Sequence, residues 1–258
     1  MNIKILIAAH KRYHMPQDEI YLPVRVGSAL GGDDFGYQRD DEGENISSKN
    51  PFYCELTAMY WAWKNLEADY VGLAHYRRHF CLTKKSTWKF ACVLTGDEAK
   101  DLCDKYDVVL PKKRRYYIES LLSHYKHTHD IEHLELTREV IKARCPAYLI
   151  TFDKVMRRSY AHMFNMFIMK KELFNQYCTW LFAVLSDLEK EVDTSSLSPF
   201  DARLFGRVSE LLLDVWIEQN GIQYKEIGYV QMGEENWGEK IKGFLNAKFK
   251  GKKYEHSR

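Results

Sequence analysis

The sequence predicts an α/β fold: a single domain with a mostly parallel central sheet flanked by helices. Short apolar runs of strand length, at residues 3–9, 70–74 and 107–111, alternate with longer segments of helical periodicity. Each of those runs ends on basic residues: His10-Lys11, then His75-Tyr76-Arg77-Arg78, then Lys112-Lys113-Arg114-Arg115. No repeat, low-complexity segment or clean linker divides the chain, so one domain over residues 1–239 is expected, followed by a basic tail at 240–258.

Taken in order, residues 3–9 (IKILIAA) are β-branched and apolar and read as a buried strand. Residues 31–48, rich in Gly, Asp and Glu, read as a loop that leads to Lys49 and Asn50. A helix follows over about 52–66, with Leu56, Tyr60 and Trp63 along one apolar stripe. The run 70–74 is a second short strand, and Thr95 with Glu98 has the spacing of a capping box that starts a helix reaching about residue 106. After the strand at 107–111, His124, His127, His129 and His133 crowd around Asp130 and Glu132 at a helix start. That helix is interrupted by Pro146, and another runs over 148–157. Residues 161–169 read as a core strand carrying one amide, Asn165, and helices are expected over 170–192 and 203–219 before a last strand near 223–230.

Composition narrows the function classes. With 29% charged and 45% apolar residues the chain is an ordinary globular protein. A formal net charge of +2 does not demand nucleic acid as a partner. The six cysteines form no Cys-x-x-Cys pair and read as reduced thiols of a cytoplasmic protein. The first apolar run is too short for a signal core or a membrane span. In open α/β sheets ligands sit outside the carboxyl ends of strands, so three basic strand ends point to an anionic ligand. The plainer reading of any one of them is a solvated charge cluster; three together weaken it.

Five stretches carry a family likeness: AAHK (8–11), NISSKNPFYCELTAMYWAWKN (45–65), GLAHYRRHF (72–80), HMFNMFIMKKELF (162–174) and RLFGRVSELLLDVW (203–216). On these the sequence resembles the domain of unknown function 4422 family, glycosyltransferases of bacterial capsule, exopolysaccharide and lipopolysaccharide clusters. The resemblance implies a GT-A-like nucleotide-sugar-binding fold and transfer of a sugar from a UDP donor, with UDP-galactofuranose and a β-linkage as the implied case. An oligosaccharide or lipid-linked glycan is the implied acceptor.

Many such enzymes neutralise the departing diphosphate with a divalent ion held by Asp-x-Asp, hard oxygens suiting a hard cation. The second strand end carries His75, Tyr76, Arg77 and Arg78 instead. These residues, with His10, Lys11, Lys49, Asn50, Glu55 and Tyr60, form the expected donor-binding set, and no metal cofactor is expected. One of the two arginines is also expected to pair with Glu55. For the base that deprotonates the acceptor, Glu210 stands first, with Asp130 as its competitor. His129, Asn165 and Arg207 are expected on the acceptor side. Against each stands a plainer reading: a helix carboxylate for Glu210, a backbone-satisfied amide for Asn165, core packing for Tyr60.

Two other classes compete. His129 and His133 are four residues apart on a helix, beside Asp130 and Glu132, as in a metal-dependent hydrolase; no third ligand stands at a recognisable spacing. The tail at 240–258 interleaves Phe and Leu with lysines. It suits a non-enzymatic protein bound to an anionic polymer or a peripheral contact with the inner face of the cell membrane, against the plainer and commoner reading of a solvated basic tail.

Overall fold

The computed structural model describes residues 1–83 and 87–233, so the basic tail lies outside the described residues. In chain order its elements are β1 (Ile3–Ala9), β2 (Tyr21–Arg25), β3 (Gln38–Arg39), α1 (Asn50–Tyr53), α2 (Leu56–Asn65), β4 (Tyr70–His75) and β5 (Arg78–Cys81). There follow α3 (Gly96–Cys103), β6 (Val108–Pro111), β7 (Arg114–Arg115), α4 (Leu121–Thr128), α5 (Glu132–Arg144) and α6 (Leu149–Met156). The chain continues with β8 (Tyr160–Ala161), β9 (Phe167–Lys170), α7 (Lys171–Glu191), α8 (Leu204–Gln219) and β10 (Lys225–Gln231).

Eight strands form one sheet in the order β3-β2-β1-β4-β5-β10-β6-β9, and β4 also pairs with β9. Strands β4, β5, β10, β6 and β9 therefore close into a five-strand barrel. Four of its five junctions are antiparallel, and only β10–β6 is parallel. The outer strands β3, β2 and β1 run parallel to one another and to β4. The mostly parallel GT-A-like sheet expected from the sequence is thus corrected to a mixed barrel with a parallel outer flank.

Two local features account for the difference. His75 pairs with Arg78, so Tyr76 and Arg77 are a two-residue turn. Such a turn can only reverse the chain, because a parallel return needs a crossover of a dozen residues or more. The expected strand at 161–169 is also broken: β8 and β9 flank a loop in which Phe164 and Asn165 take left-handed φ values of 77° and 53°.

Burial on both faces explains the continuous apolar runs. Leu6 and Ala8 of β1 join the core beneath α2, α5, α6, α7 and α8, while Ile5 and Ile7 face a second core closed by Ala99, Leu102 and Cys103 of α3. Each fully buried Leu or Ile side chain among them contributes roughly 1.5–3 kcal/mol. At α3 the capping box forms: Thr95 accepts from the Glu98 N–H and Glu98 accepts from the Thr95 N–H. The single helix expected over 52–66 is two, broken at Cys54, whose φ is 52°. There the Asn50 amide donates to the Cys54 carbonyl (2.8 Å), and α8 approaches so closely that a Cβ at Gly206 would lie 3.3 Å from Cys54 Cβ. Among the described residues no helix is long and apolar enough to cross a membrane.

Candidate functional site

The carboxyl ends of β1 and β4 are neighbours because Ala8 pairs with His75. His10-Lys11 and the 75–78 turn therefore emerge at one rim. Tyr76 is its hub: Tyr13 stacks on it at 3.7 Å, the His10 ring meets it edge-on at 5.3 Å, and Arg77 Nε donates to its hydroxyl (2.8 Å). Lys11 lies over the Tyr13 ring at 5.4 Å.

The two histidines supply hydrogen-bonding capacity rather than charge. Burial, then Arg78 and Arg77, push His75 down to about 3, and its Nδ1 accepts from the Arg77 backbone N–H. Burial, then Lys11, Arg77, Arg25 and Arg203, lower His10 as well. The positive charge of the rim comes from Lys11, Arg77, Arg78 and Arg203. None of Lys11, Arg77 or Arg78 is within ion-pair distance of a carboxylate among the described residues. Arg78 stacks over the Phe164 ring at 4.1 Å with its Nε buried and without a partner. A buried donor left unsatisfied is costly, and an anionic oxygen would satisfy it with a charge-assisted bond.

Two carboxylates face this rim. Glu210 on α8 is pushed up to about 7, first by burial and then by the charge of Glu55; the Phe164 N–H, Arg78 and Arg114 oppose the rise. Glu55 is oriented by Asn165, whose Nδ2 donates to Glu55 Oε1 (2.8 Å) and to the Gly206 carbonyl (3.0 Å). Ser209 Oγ donates to Asn165 Oδ1 (2.7 Å). The loop at 162–165 is thus fastened along α8 at three levels: Asn165 to Gly206 and Ser209, the Phe164 N–H to Glu210, and His162 to Asp214. Asn165→Ala would leave Glu55, Ser209 and a buried carbonyl short of a partner. It is expected to cost about 2–4 kcal/mol in chemical denaturation, whereas an amide free to bind substrate would cost stability little.

The family model described as Domain of unknown function (DUF4422) matches residues 4–221, from β1 past the end of α8. This chain belongs to the DUF4422 family. Among curated proteins none matches the sequence. Among solved structures the DUF4422 chain is similar to WbbM, described as a bifunctional glycosyltransferase and solved in its apo form. The identity is 30% and the TM-score 0.82, over 91% of this chain and 46% of that one. The chain spans less than half the length of WbbM.

Of the residues expected from the sequence, this DUF4422 fold gathers His10, Lys11, Glu55, His75, Tyr76, Arg77, Arg78, Asn165 and Glu210 around one rim. Arg207 and His129 stand next to it, sharing Phe200: Arg207 lies over that ring at 4.0 Å and donates to its carbonyl (2.6 Å), and the His129 ring is 5.6 Å away. Three residues are engaged elsewhere. Lys49 pairs with Glu189 (2.7 Å), Asn50 fastens the α1–α2 break, and the Tyr60 hydroxyl donates to Glu44 (3.0 Å) as its ring packs on Trp63 and Phe182. Glu55 makes its hydrogen bond to Asn165, not an ion pair with Arg77 or Arg78. Asp130 accepts from the Glu132 N–H (3.2 Å) at the start of α5.

The histidine cluster divides. His124 and His127 both turn to buried Glu119, while His133 meets the Tyr125 hydroxyl at 3.3 Å. No group of three or more His, Cys, Asp or Glu that could hold a metal occurs among the described residues. Sequence reading missed Arg203, which acts on His10, His75 and Glu210 and donates to the Cys54 thiol at 3.3 Å. The signal was present: Arg203, Arg207, Glu210 and Asp214 recur at the spacing of one helical face.

Proposed function

We propose that this chain is a glycosyltransferase of bacterial surface polysaccharide synthesis. In this reading it moves galactofuranose from UDP-galactofuranose, with inversion to a β-linkage, onto an oligosaccharide or lipid-linked glycan. The observation that carries the reading is the meeting of a rim whose Lys11, Arg77 and Arg78 have no carboxylate within ion-pair distance among the described residues with Glu210, whose pKa is raised to about 7. The similarity to WbbM supports the reaction class.

Lys11, Arg77 and Arg78 would hold the diphosphate, helped by hydrogen bonds from His10 and His75. The acceptor hydroxyl attacks the anomeric carbon on the face opposite the diphosphate. As that bond forms, the carbon–oxygen bond to phosphate breaks, its electron pair leaves with UDP, and the acceptor proton passes to Glu210. A base with a pKa near the working pH combines adequate basicity with adequate ionisation. Each charge-assisted bond to the leaving diphosphate contributes roughly 1.5–3 kcal/mol, and more as its charge grows in the transition state. The fixed cations thereby take the part that a divalent ion plays elsewhere.

The test is a panel of UDP-sugars, furanose and pyranose galactose included, assayed with and without EDTA. Turnover of UDP-galactofuranose unaffected by chelation is expected. Preference for the pyranose would reassign the donor. Loss on chelation with recovery in Mn²⁺ would overturn the metal-free reading, and absence of all UDP-sugar binding would overturn the enzyme.

A further inference from the structure

We propose that the protrusion bearing Tyr117 and Ile118 seats the chain on an anionic membrane surface next to the sugar-transfer site. Tyr117 is 84% exposed, Ile118 68% and Leu122 of α4 41%, so one short stretch carries three exposed large apolar side chains. The protrusion is not a loose loop. Its base is pinned on both sides, by Tyr116 N–H to the Ser159 carbonyl (2.7 Å) and Leu121 N–H to the Arg158 carbonyl (2.7 Å). Between these anchors Glu119 turns inward, only 5% exposed, and is held by His127 at 2.7 Å and His124 at 3.4 Å. Tyr117 itself has a φ of 57°, a conformation a bulky residue adopts only where its surroundings impose it. A firmly built base thus carries apolar side chains outward.

The surrounding charge selects the partner. Residues 112–118 read Lys-Lys-Arg-Arg-Tyr-Tyr-Ile, with no acid. Lys113 is engaged by Glu226 (2.9 Å), but Lys112, Arg114 and Arg115 are exposed and not within ion-pair distance of a carboxylate among the described residues. Apolar tips preceded directly by cations match the headgroup boundary of an anionic bilayer, where the tips enter the acyl region and the cations meet phosphate. A second copy of the chain fits poorly, because a two-fold contact would set these cations against themselves. An anionic polymer would leave Ile118 and Leu122 unused. Arg114 lies close enough for its charge to act on Glu210, so the protrusion borders the site. The link to a lipid-borne acceptor rests on the proposed glycosyl transfer; membrane binding does not.

Co-sedimentation of the full chain with vesicles tests this, without donor or acceptor, so that its failure and that of the transferase reading are separate. Binding is expected to vesicles in which about a third of the phosphatidylcholine is replaced by phosphatidylglycerol, and not to phosphatidylcholine alone. The double variant Tyr117→Ser with Ile118→Ser should lower the partition coefficient at least about tenfold. Its melting temperature should not change, since both side chains are already in water. Lys112→Gln and Arg115→Gln should each cost about fivefold. The proposal is overturned if the parent ignores anionic vesicles or if the double variant binds them as the parent does. It is overturned equally if sedimentation finds a dimer that the double variant abolishes.

Discussion

Glu210→Gln is expected to lower turnover by about 10²–10⁴-fold, the range a positioned general base contributes. The parent's kcat/KM should rise with pH through an apparent pKa near 7, because the base must be ionised to accept the acceptor proton. The residual activity of the variant should lack that limb. Removing the neighbouring charge with Glu55→Gln should move the limb to lower pH, since Glu55 is the second cause of the rise after burial. Stability moves the other way. Glu210 is raised from an ordinary value of 4.5 in the folded chain, so its favourable contribution is complete below that value and is lost as pH climbs through about 7. A neutral isostere suffers no such loss. The variant should therefore melt near the parent at pH 5 and above it at pH 8, by an amount on the order of 1–3 kcal/mol. Near-normal turnover in Glu210→Gln would transfer the role to Asp130.

Arg78→Ala is expected to cut kcat/KM for the donor by roughly 10–100-fold, the equivalent of one lost charge-assisted contact. Its orphaned Nε and its stack over Phe164 put the guanidinium where a diphosphate oxygen would complete it. Calorimetry separates this from general damage: affinity for UDP should fall while affinity for uridine, which lacks the diphosphate, stays the same. Arg78 also lowers the Glu210 pKa, so the ascending limb should shift to higher pH in the alanine variant. Arg78→Lys should keep that limb in place and restore only part of the affinity, because it retains a charge and not the planar fork. Equal weakening of UDP and uridine would remove Arg78 from the diphosphate.

The legible parts of this chain were those decided locally. Strand β1 was visible because both of its faces are buried, and α3 because Thr95 and Glu98 cap it reciprocally. The two outer limits of α7 fell within a residue or so of the periodic stretch. What escaped was set by long-range contacts. The 75–78 stretch reads as a basic strand end, and it is one; that it is also a hairpin turn depends on Arg78, His79 and Phe80 finding β10 far along the sequence. Asn165 announced itself as a polar residue in an apolar run. Only the arrival of Ser209 and Gly206 on α8 accounts for the left-handed turn that splits the strand there. Lys49 and Asn50 stand beside the site in sequence, and what engages their side chains, Glu189 and the Cys54 carbonyl, could not be read there.

Among the described residues, barrel closure leaves the large sheet one outer boundary, β3, and that boundary is only Gln38 and Arg39. Just past it Asp40 is buried, accepting from the Gly27 and Ser28 N–H groups, and Arg39 is clasped by Asp41. So short and so occupied a margin gives a foreign polypeptide almost no main-chain template to extend. At this margin strand addition has little to extend, and a partner that meets it must recognise side chains rather than backbone.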